Sequence, residues 1–402
     1  MQKGILKTEM ENMRKMDKSL FLMIILYSIL GLVIILSASS VSAVLRYKVS
    51  SYYFFIKQLI FVVFGLLVGL VIINIPTSKY KWPSYLLMGL TLSLLTAVLF
   101  IGFVSNNAQS WFRKGIFSYQ PVELAKPALI FFMAEFYNYQ LRKQKKNLYF
   151  NLIPLVVAGI IFILVAMQPD LGGALIIGGM AFLIFMTLPL EKQNQLKLFK
   201  VIGVAVVITG VALLYSGTDL LNSRQLSRLQ FKNPCTRYAE ETGYQVCNGF
   251  IAIHNGGLFG VGLGNSSQKY LYLPEAHTDF IFPILVEELG ALAGVLVLLG
   301  YIFILYRILK IGKEANGNIR NQILCYGTFA YIFLHLMVNL MGVLALIPLT
   351  GVPIPFLTYG GSYALSLTLM LFVVERVAIE NKKAKYRKEI ASLSKNKTIL
   401  PY

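Results

Sequence analysis

The sequence predicts an all-α polytopic membrane protein of about ten transmembrane helices. Both termini are expected in the cytoplasm, with one large outer loop between spans seven and eight. Three observations carry this. Hydrophobic side chains make up 56% of the 402 residues and charged ones 14%, against roughly 45–50% and 25% in soluble domains. So few charges cannot cover that much apolar surface in water. Apolar stretches recur at the length a bilayer core of about 30 Å requires, about 20 residues each. Finally, the 37 Lys and Arg residues divide unequally between alternate loops. An aromatic content of 13% excludes a disordered chain.

The spans read at about 20–45, 52–75, 83–104, 121–138, 152–168, 170–189, 198–216, 279–306, 322–348 and 360–380. The first is too long for a signal-peptide core and reads as a signal anchor. Only Gln168, Pro169 and Asp170 separate spans five and six, which predicts a tight helical hairpin. No segment outside the long loop reads as a strand. The expected organisation is an N-terminal tail (1–19), a transmembrane domain (20–380) and a basic C-terminal tail (381–402).

With the N-terminus inside, 26 Lys and Arg fall in inner segments, 9 in outer loops and 2 (Lys57 and Lys126) within spans. That bias is the positive-inside pattern. The net charge of +19 therefore follows topology and does not argue for a nucleic-acid partner. The outer loop, 217–278, is too long for a plain connection. Its apolar residues (Leu226, Phe231, Tyr244, Phe250, Ile253, Leu258, Phe259) predict that it folds against the bundle. It holds Cys235 and Cys247, either bridged or both reduced.

Ionisable groups within spans default to a functional reading. Glu123 and Lys126 follow Pro121, which is tolerated in a first helical turn, and their i,i+3 spacing lets them pair. They read either as a structural ion pair or as the charged wall of an outward-facing cavity. Glu135 and Glu375, near span ends, are expected at the interface, and His335 is expected to bond to a neighbouring helix. Glu275, His277, Thr278 and Asp279 cluster at the outer rim of span eight, where Thr278 or Asp279 could cap the helix. Glu287 and Glu288 lie two turns further in. The glycines of 256–264 read as a diphosphate cradle or as a tightly packed loop. A dinucleotide fingerprint is rejected, since it needs a βαβ unit.

Six segments together resemble the SEDS family (shape, elongation, division and sporulation proteins). They are Gln120–Lys126, Gln168–Gly172, Gly257–Gly260, Tyr272–Phe282, Glu287–Gly290 and Pro348–Ser362. They run through nearly the whole chain in family order. Gly262–Lys269 is similar to the division branch, FtsW, and differs from the elongation branch, RodA. The chain departs from the family pattern at Val122, at Gln109 and Ser110, and at Tyr363.

The resemblance implies a peptidoglycan glycosyltransferase of the bacterial cytoplasmic membrane, placed at the division septum. It would polymerise lipid II into β-1,4 glycan at the outer leaflet, with inversion. Asp279 is the expected base, Lys126 the cation facing the departing diphosphate, and Glu123 the group orienting Lys126. Substrate contacts are expected at Arg113, Gln120, Lys269, His277, Tyr359 and Ser362. No cofactor is required, with a divalent cation (Mg2+ or Mn2+) as an alternative to Lys126. The implied partners are lipid II, a single-pass class B penicillin-binding protein, other division membrane proteins and membrane lipid. The transpeptidase helix is expected on spans eight and nine, near Gly290, Ala291, Ala293 and Gly294. Alternative readings are a RodA- or SpoVE-type role with the same chemistry, a lipid II flippase, and a scaffold for other division proteins.

Overall fold

The computed structural model describes residues 11–105, 108–114, 117–142, 148–191, 193–198, 200–201, 203, 231–274 and 276–397. The helices are α1 (Lys18–Leu45), α2 (Tyr53–Ile72), α3 (Lys81–Ile101), α4 (Pro121–Arg142), α5 (Ile153–Ala166) and α6 (Leu171–Met186). They continue with α7 (Glu241–Gly256), α8 (Ile281–Glu314), α9 (Ile319–Val343) and α10 (Gly361–Lys397). All but α7 coincide with an expected span. Most of the remaining span, 198–216, lies outside the described residues.

Polar residues set several helix starts. The Asp17 carboxylate accepts the Leu20 N–H at 3.0 Å to cap α1. Asp170 accepts the Gly173 N–H at 2.8 Å to cap α6, and Asn318 caps α9. Among the described residues, seven helices are long and apolar enough to cross a bilayer. The most apolar 18-residue stretch is 83% buried in α10 and 67% in α9, but only 17% in α2. Helices α9 and α10 therefore form the centre. α2 lies on α10, α4 sits between α3 and α9, and α8 packs on α9. Exposed Leu, Ile, Val and Phe side chains of α1, α2 and α8 form a lipid-facing surface.

Several expectations need correction. A small antiparallel sheet, β1 (Phe103–Ser105), β2 (Ala108–Lys114) and β3 (Phe117–Tyr119), fills the outer connection between α3 and α4. β1 and β3 are three residues each, too short for a period-two pattern, and the seven residues of β2 (Ala108–Lys114) do not alternate apolar and polar. Glu135 and Glu375 lie near the inner ends of their helices, as expected, but their carboxylates do not reach out to solvent. Both are buried, Glu135 against Arg320 and Glu375 accepting the Asp17 N–H at 2.7 Å, because neighbouring segments supply donors. Helix α10 continues beyond the expected span into the basic tail as far as Lys397, about 55 Å in all at the α-helical rise.

In the outer loop, Phe250 and Ile253 pack against the core, whereas Leu258 and Phe259 are exposed. Cys235 and Cys247 are bridged, with Cα atoms 4.9 Å apart, which ties the turn at Pro234–Arg237 to α7. Intact-mass measurement should record a gain of about two daltons on reduction; an unchanged mass would contradict the bridge.

The orientation is testable with single cysteines in a Cys325→Ala background, since Cys325 is fully buried and a poor reporter. Tyr52→Cys, in the first outer turn, should react with an impermeant thiol reagent outside spheroplasts. Asn316→Cys, between α8 and α9, should not. The reverse pattern would invert the topology.

Candidate functional site

Helix α4 carries a charged pair in the bundle interior. Lys126 Nζ lies 2.6 Å from Glu123 Oε1, and the residues are 2% and 4% exposed. Pro127 follows and has no N–H, so the Glu123 carbonyl loses its helical donor. Ser366 of α10 replaces it, donating its hydroxyl to Glu123 O at 2.8 Å. The proline thus ties α4 to α10 beside the pair. The Lys126 ammonium lies 6.0 Å from the Tyr331 ring centroid and 5.8 Å from that of Tyr363. Tyr363, one of the departures from the family pattern, is thereby a wall of the lysine's pocket.

From there a polar face runs outward along α9. Tyr331, His335 and Asn339 recur every four residues, so they share one face and span about 12 Å of helix. The His335 ring stacks on Tyr363, with centroids 4.8 Å apart, and its Nδ1 lies 3.1 Å from Pro353 O. The expected partner was a helix; the actual one is a loop carbonyl. Asn339 Nδ2 donates to Asp279 O at 2.9 Å and to Val352 O at 2.8 Å. One asparagine thus joins α9, the 348–360 segment and the rim before α8.

Two further bonds hold that rim. Thr358 Oγ1 donates to Thr278 O at 3.1 Å and the Tyr359 N–H to His277 O at 3.0 Å. Helix α8 starts two residues beyond Asp279, with Phe280 at its N-cap and no side-chain cap bond. Phe280, and neither Thr278 nor Asp279, therefore occupies the N-cap position. Gly351 has φ +70°, and a Cβ there would sit 3.2 Å from Asp279 Oδ2, so the carboxylate lies directly over glycine backbone.

His277 is buried among Tyr47, Phe54 and Tyr359. Burial, and then the Arg46 charge, lower its pKa to about 4, so the ring is neutral at pH 7. Gln120 Nε2 donates to Asp170 Oδ2 at 3.2 Å, linking the starts of α4 and α6. Tyr359 and Ser362 are half-buried at the start of α10. Arg113 lies on β2. Glu275 lies outside the described residues.

Around Lys126 and along α9, five buried polar atoms have no hydrogen-bond partner among the described residues. They are Glu123 Oε2, Tyr331 OH, Tyr363 OH, His335 Nε2 and Asn339 Oδ1. Buried polar atoms are normally satisfied by protein or water. These five atoms give the interior beside Lys126 hydrogen-bonding capacity that the described side chains leave unused.

Lys269 is placed elsewhere. It is 3% exposed and bonded to Glu288 (2.9 Å), Ser37 Oγ (3.2 Å) and Gly264 O (2.5 Å). Its charge is engaged by these partners and does not line the α9 face. The Glu287–Glu288 segment anchors the glycine-rich loop. Gly290 has φ +88°, which interrupts α8, and the loop enters the break. Val261 N–H donates to Glu287 O (2.9 Å), Gly262 N–H to Glu288 O (3.0 Å) and Ala291 N–H to Gly257 O (2.9 Å). A Cβ on Gly260 would lie 2.3 Å from Glu288 O. The packed-loop reading therefore holds, and these loop amides are not open to a diphosphate.

A model of the FtsW/RodA/SpoVE family, described as cell cycle proteins, matches residues 17–383. The chain belongs to this family. It is 33% identical over 387 residues to the probable peptidoglycan glycosyltransferase FtsW of Bacillus subtilis, covering 93% of this chain and 94% of that one. It is 35% identical over 365 residues to stage V sporulation protein E of the same organism, covering 89% and 94%. The fold matches the rod shape determining protein RodA of Thermus thermophilus, with a TM-score of 0.62 and 25% identity over 90% of this chain and 96% of RodA. It also matches a chain from a structure described as the coordination of polymerization and crosslinking by a peptidoglycan synthase complex. There the TM-score is 0.70 at 22% identity, covering 91% of this chain and 98% of that one.

The structural role of Lys269 has a clear test. Glu288→Gln leaves a buried ammonium without its counter-charge and should destabilise the protein in detergent by roughly 3–5 kcal/mol. The double variant Glu288→Gln/Lys269→Met should recover most of that stability and also retain polymerising activity. Loss of activity in a stable double variant would return Lys269 to the site.

Proposed function

We propose that this chain polymerises lipid II into β-1,4 glycan strands at the outer leaflet of the cytoplasmic membrane, as a peptidoglycan glycosyltransferase. The carrying observation is the juxtaposition along α9. A carboxylate at the outer rim and a lysine in the bundle flank a polar face of about 12 Å, with unpartnered polar atoms between. A lipid-anchored sugar diphosphate has matching chemistry: hydroxyls at the membrane surface and anionic phosphate nearer the apolar chain.

In this reading Asp279 takes the proton of the acceptor hydroxyl. That oxygen attacks the anomeric carbon of the donor, and the bond from carbon to diphosphate oxygen breaks. The polyprenyl diphosphate leaves with the bonding electrons, and configuration inverts. Lys126 meets the developing negative charge, where a positioned cation in a dry site acts strongly, and Glu123 fixes its direction. Gln120, His277, Tyr359, Ser362 and Arg113 are the substrate contacts of this reading. Neutral His277 donates or accepts a hydrogen bond and carries no charge to the diphosphate. A divalent cation on the diphosphate is the alternative source of the positive charge that Lys126 brings.

A division role follows from the FtsW relatives, and septal placement would follow with it. The sporulation relative, at 35% identity, favours a sporulation role with the same chemistry as the second reading. A fluorescent fusion at the septum of vegetatively dividing cells supports the first; signal confined to sporulating cells supports the second.

A polymerase of uncrosslinked glycan needs a transpeptidase beside it. The single-pass helix of a class B enzyme fits the lipid-facing row of α8, with Leu292, Val295, Leu296 and Leu299 exposed. Gly290 and Gly294 do not offer that surface. Gly290 meets loop backbone and Gly294 meets Val286 and Phe282.

The catalytic test is Asp279→Asn in the purified protein with lipid II in detergent. The substitution preserves size and the backbone bonds at Asp279 O. Polymer formation should fall roughly 10²–10⁴-fold with thermal stability unchanged. Wild-type yield would remove Asp279 from the mechanism.

A further inference from the structure

The inner face carries a cleft of about 1030 Å³ that the polymerase reading does not use. Four separated segments wall it: the Pro76–Ser78 turn, the end of α4 at Arg142, the α8–α9 turn, and α10 from Arg376 to Lys388. Eight cationic side chains line it, against two carboxylates, Glu314 and Glu380.

Glu380 is fully engaged. It accepts Thr77 N–H (2.9 Å), Thr77 Oγ1 (2.7 Å), Asn321 Nδ2 (2.9 Å) and Arg376 Nε (3.1 Å). These bonds fix the floor by joining three walls. Arg320 is held by Glu135, and Lys382 and Lys383 by Met16 O and Asn12 Oδ1. Arg142, Lys385, Arg387 and Lys388 remain without an acceptor among the described residues. Helix α9 begins at this wall, and its N-terminal dipole adds positive potential.

The positive-inside bias explains cations on this side of the membrane. It does not explain a concave site with a rigid floor and four uncommitted cations on two walls. Exposed Trp82 and Tyr139 lie beside these inner segments, as interfacial aromatics do, so the cleft sits at headgroup depth. Basic pockets between helices at this depth suit phosphorylated headgroups.

We propose that this cleft binds a polyanionic phosphate group. The same chemistry is offered by the headgroup of an inner-leaflet anionic phospholipid and by a soluble diphosphate. The test uses the full chain in detergent, with native mass spectrometry against cardiolipin, phosphatidylethanolamine and inorganic pyrophosphate. One variant carries Arg142→Gln, Lys385→Gln and Lys388→Gln. A charge-matched control carries Lys18→Gln, Lys79→Gln and Lys197→Gln, all on the inner side but outside the cleft. The altered side chains of the cleft variant are exposed, so both proteins should fold.

Cardiolipin affinity should fall roughly tenfold or more in the cleft variant and by less than about twofold in the control. Phosphatidylethanolamine should bind all three proteins equally weakly. Competition by pyrophosphate would identify the phosphate itself as the recognised group and admit a soluble ligand. Cleft-dependent cardiolipin binding without that competition would assign the site to lipid. Equal losses in the two variants, or no loss with either anionic probe in the cleft variant, would overturn the proposal. Polymerisation of lipid II, which relies on the opposite face, should persist in both.

Discussion

A lysine inside a membrane bundle is the constraint around which this fold is arranged. An isolated charge in hydrocarbon is costly, so Lys126 is stable only with a counter-charge at contact distance, and Glu123 provides it one turn away. The pair then dictates its surroundings. Tyr331 and Tyr363 present ring faces to the ammonium. Pro127 frees the carbonyl that Ser366 captures, so the most buried helix, α10, locks onto α4 beside the charge. The helices most enclosed by protein, α9 and α10, are those that wall the pair.

The outer half depends on interrupted helices. Irregular backbone is tolerated at membrane depth only where protein satisfies its polar groups. The break in α8 at Gly290 meets that condition through the glycine-rich loop, whose amides and carbonyls pair with those around the break. Glu287 takes the hydroxyls of Ser266 and Ser267, and Glu288 takes Lys269. With α8 anchored in this way, the strand of chain before it is held against the 348–360 segment by Asn339, Thr358 and Tyr359. Asp279 owes its position to these backbone bonds and to the space left by Gly351.

Much of this was legible in the sequence because bilayer physics imposes long apolar runs and a sided distribution of Lys and Arg. The i,i+3 spacing of Glu123 and Lys126 foretold their pairing. The small sheet at 103–119 was not legible, since two of its strands have three residues and the third, Ala108–Lys114, has no apolar–polar alternation. The ion pair of Lys269 was not legible because a lone basic residue in an outer loop carries no local mark of its partner; Glu288 lies 19 positions away on α8. The burial of Glu135 and Glu375 was hidden for the same reason, as their donors Arg320 and Asp17 come from distant segments. Asp279 as a rim residue was legible, but its support by Asn339, 60 positions on, was not.

The central claim is that the charge of Lys126 acts on substrate and does not merely hold helices together. The decisive measurement compares Lys126→Met with the double variant Glu123→Gln/Lys126→Met. Removing the lysine alone strands a buried carboxylate and should destabilise the protein, whereas removing both charges leaves a neutral pocket and should restore thermal stability. If Lys126 meets the departing diphosphate, the stable double variant should still polymerise lipid II roughly 10²–10³-fold more slowly than the wild type. A stable double variant that polymerises at the wild-type rate would contradict the claim and reduce the pair to a structural tie.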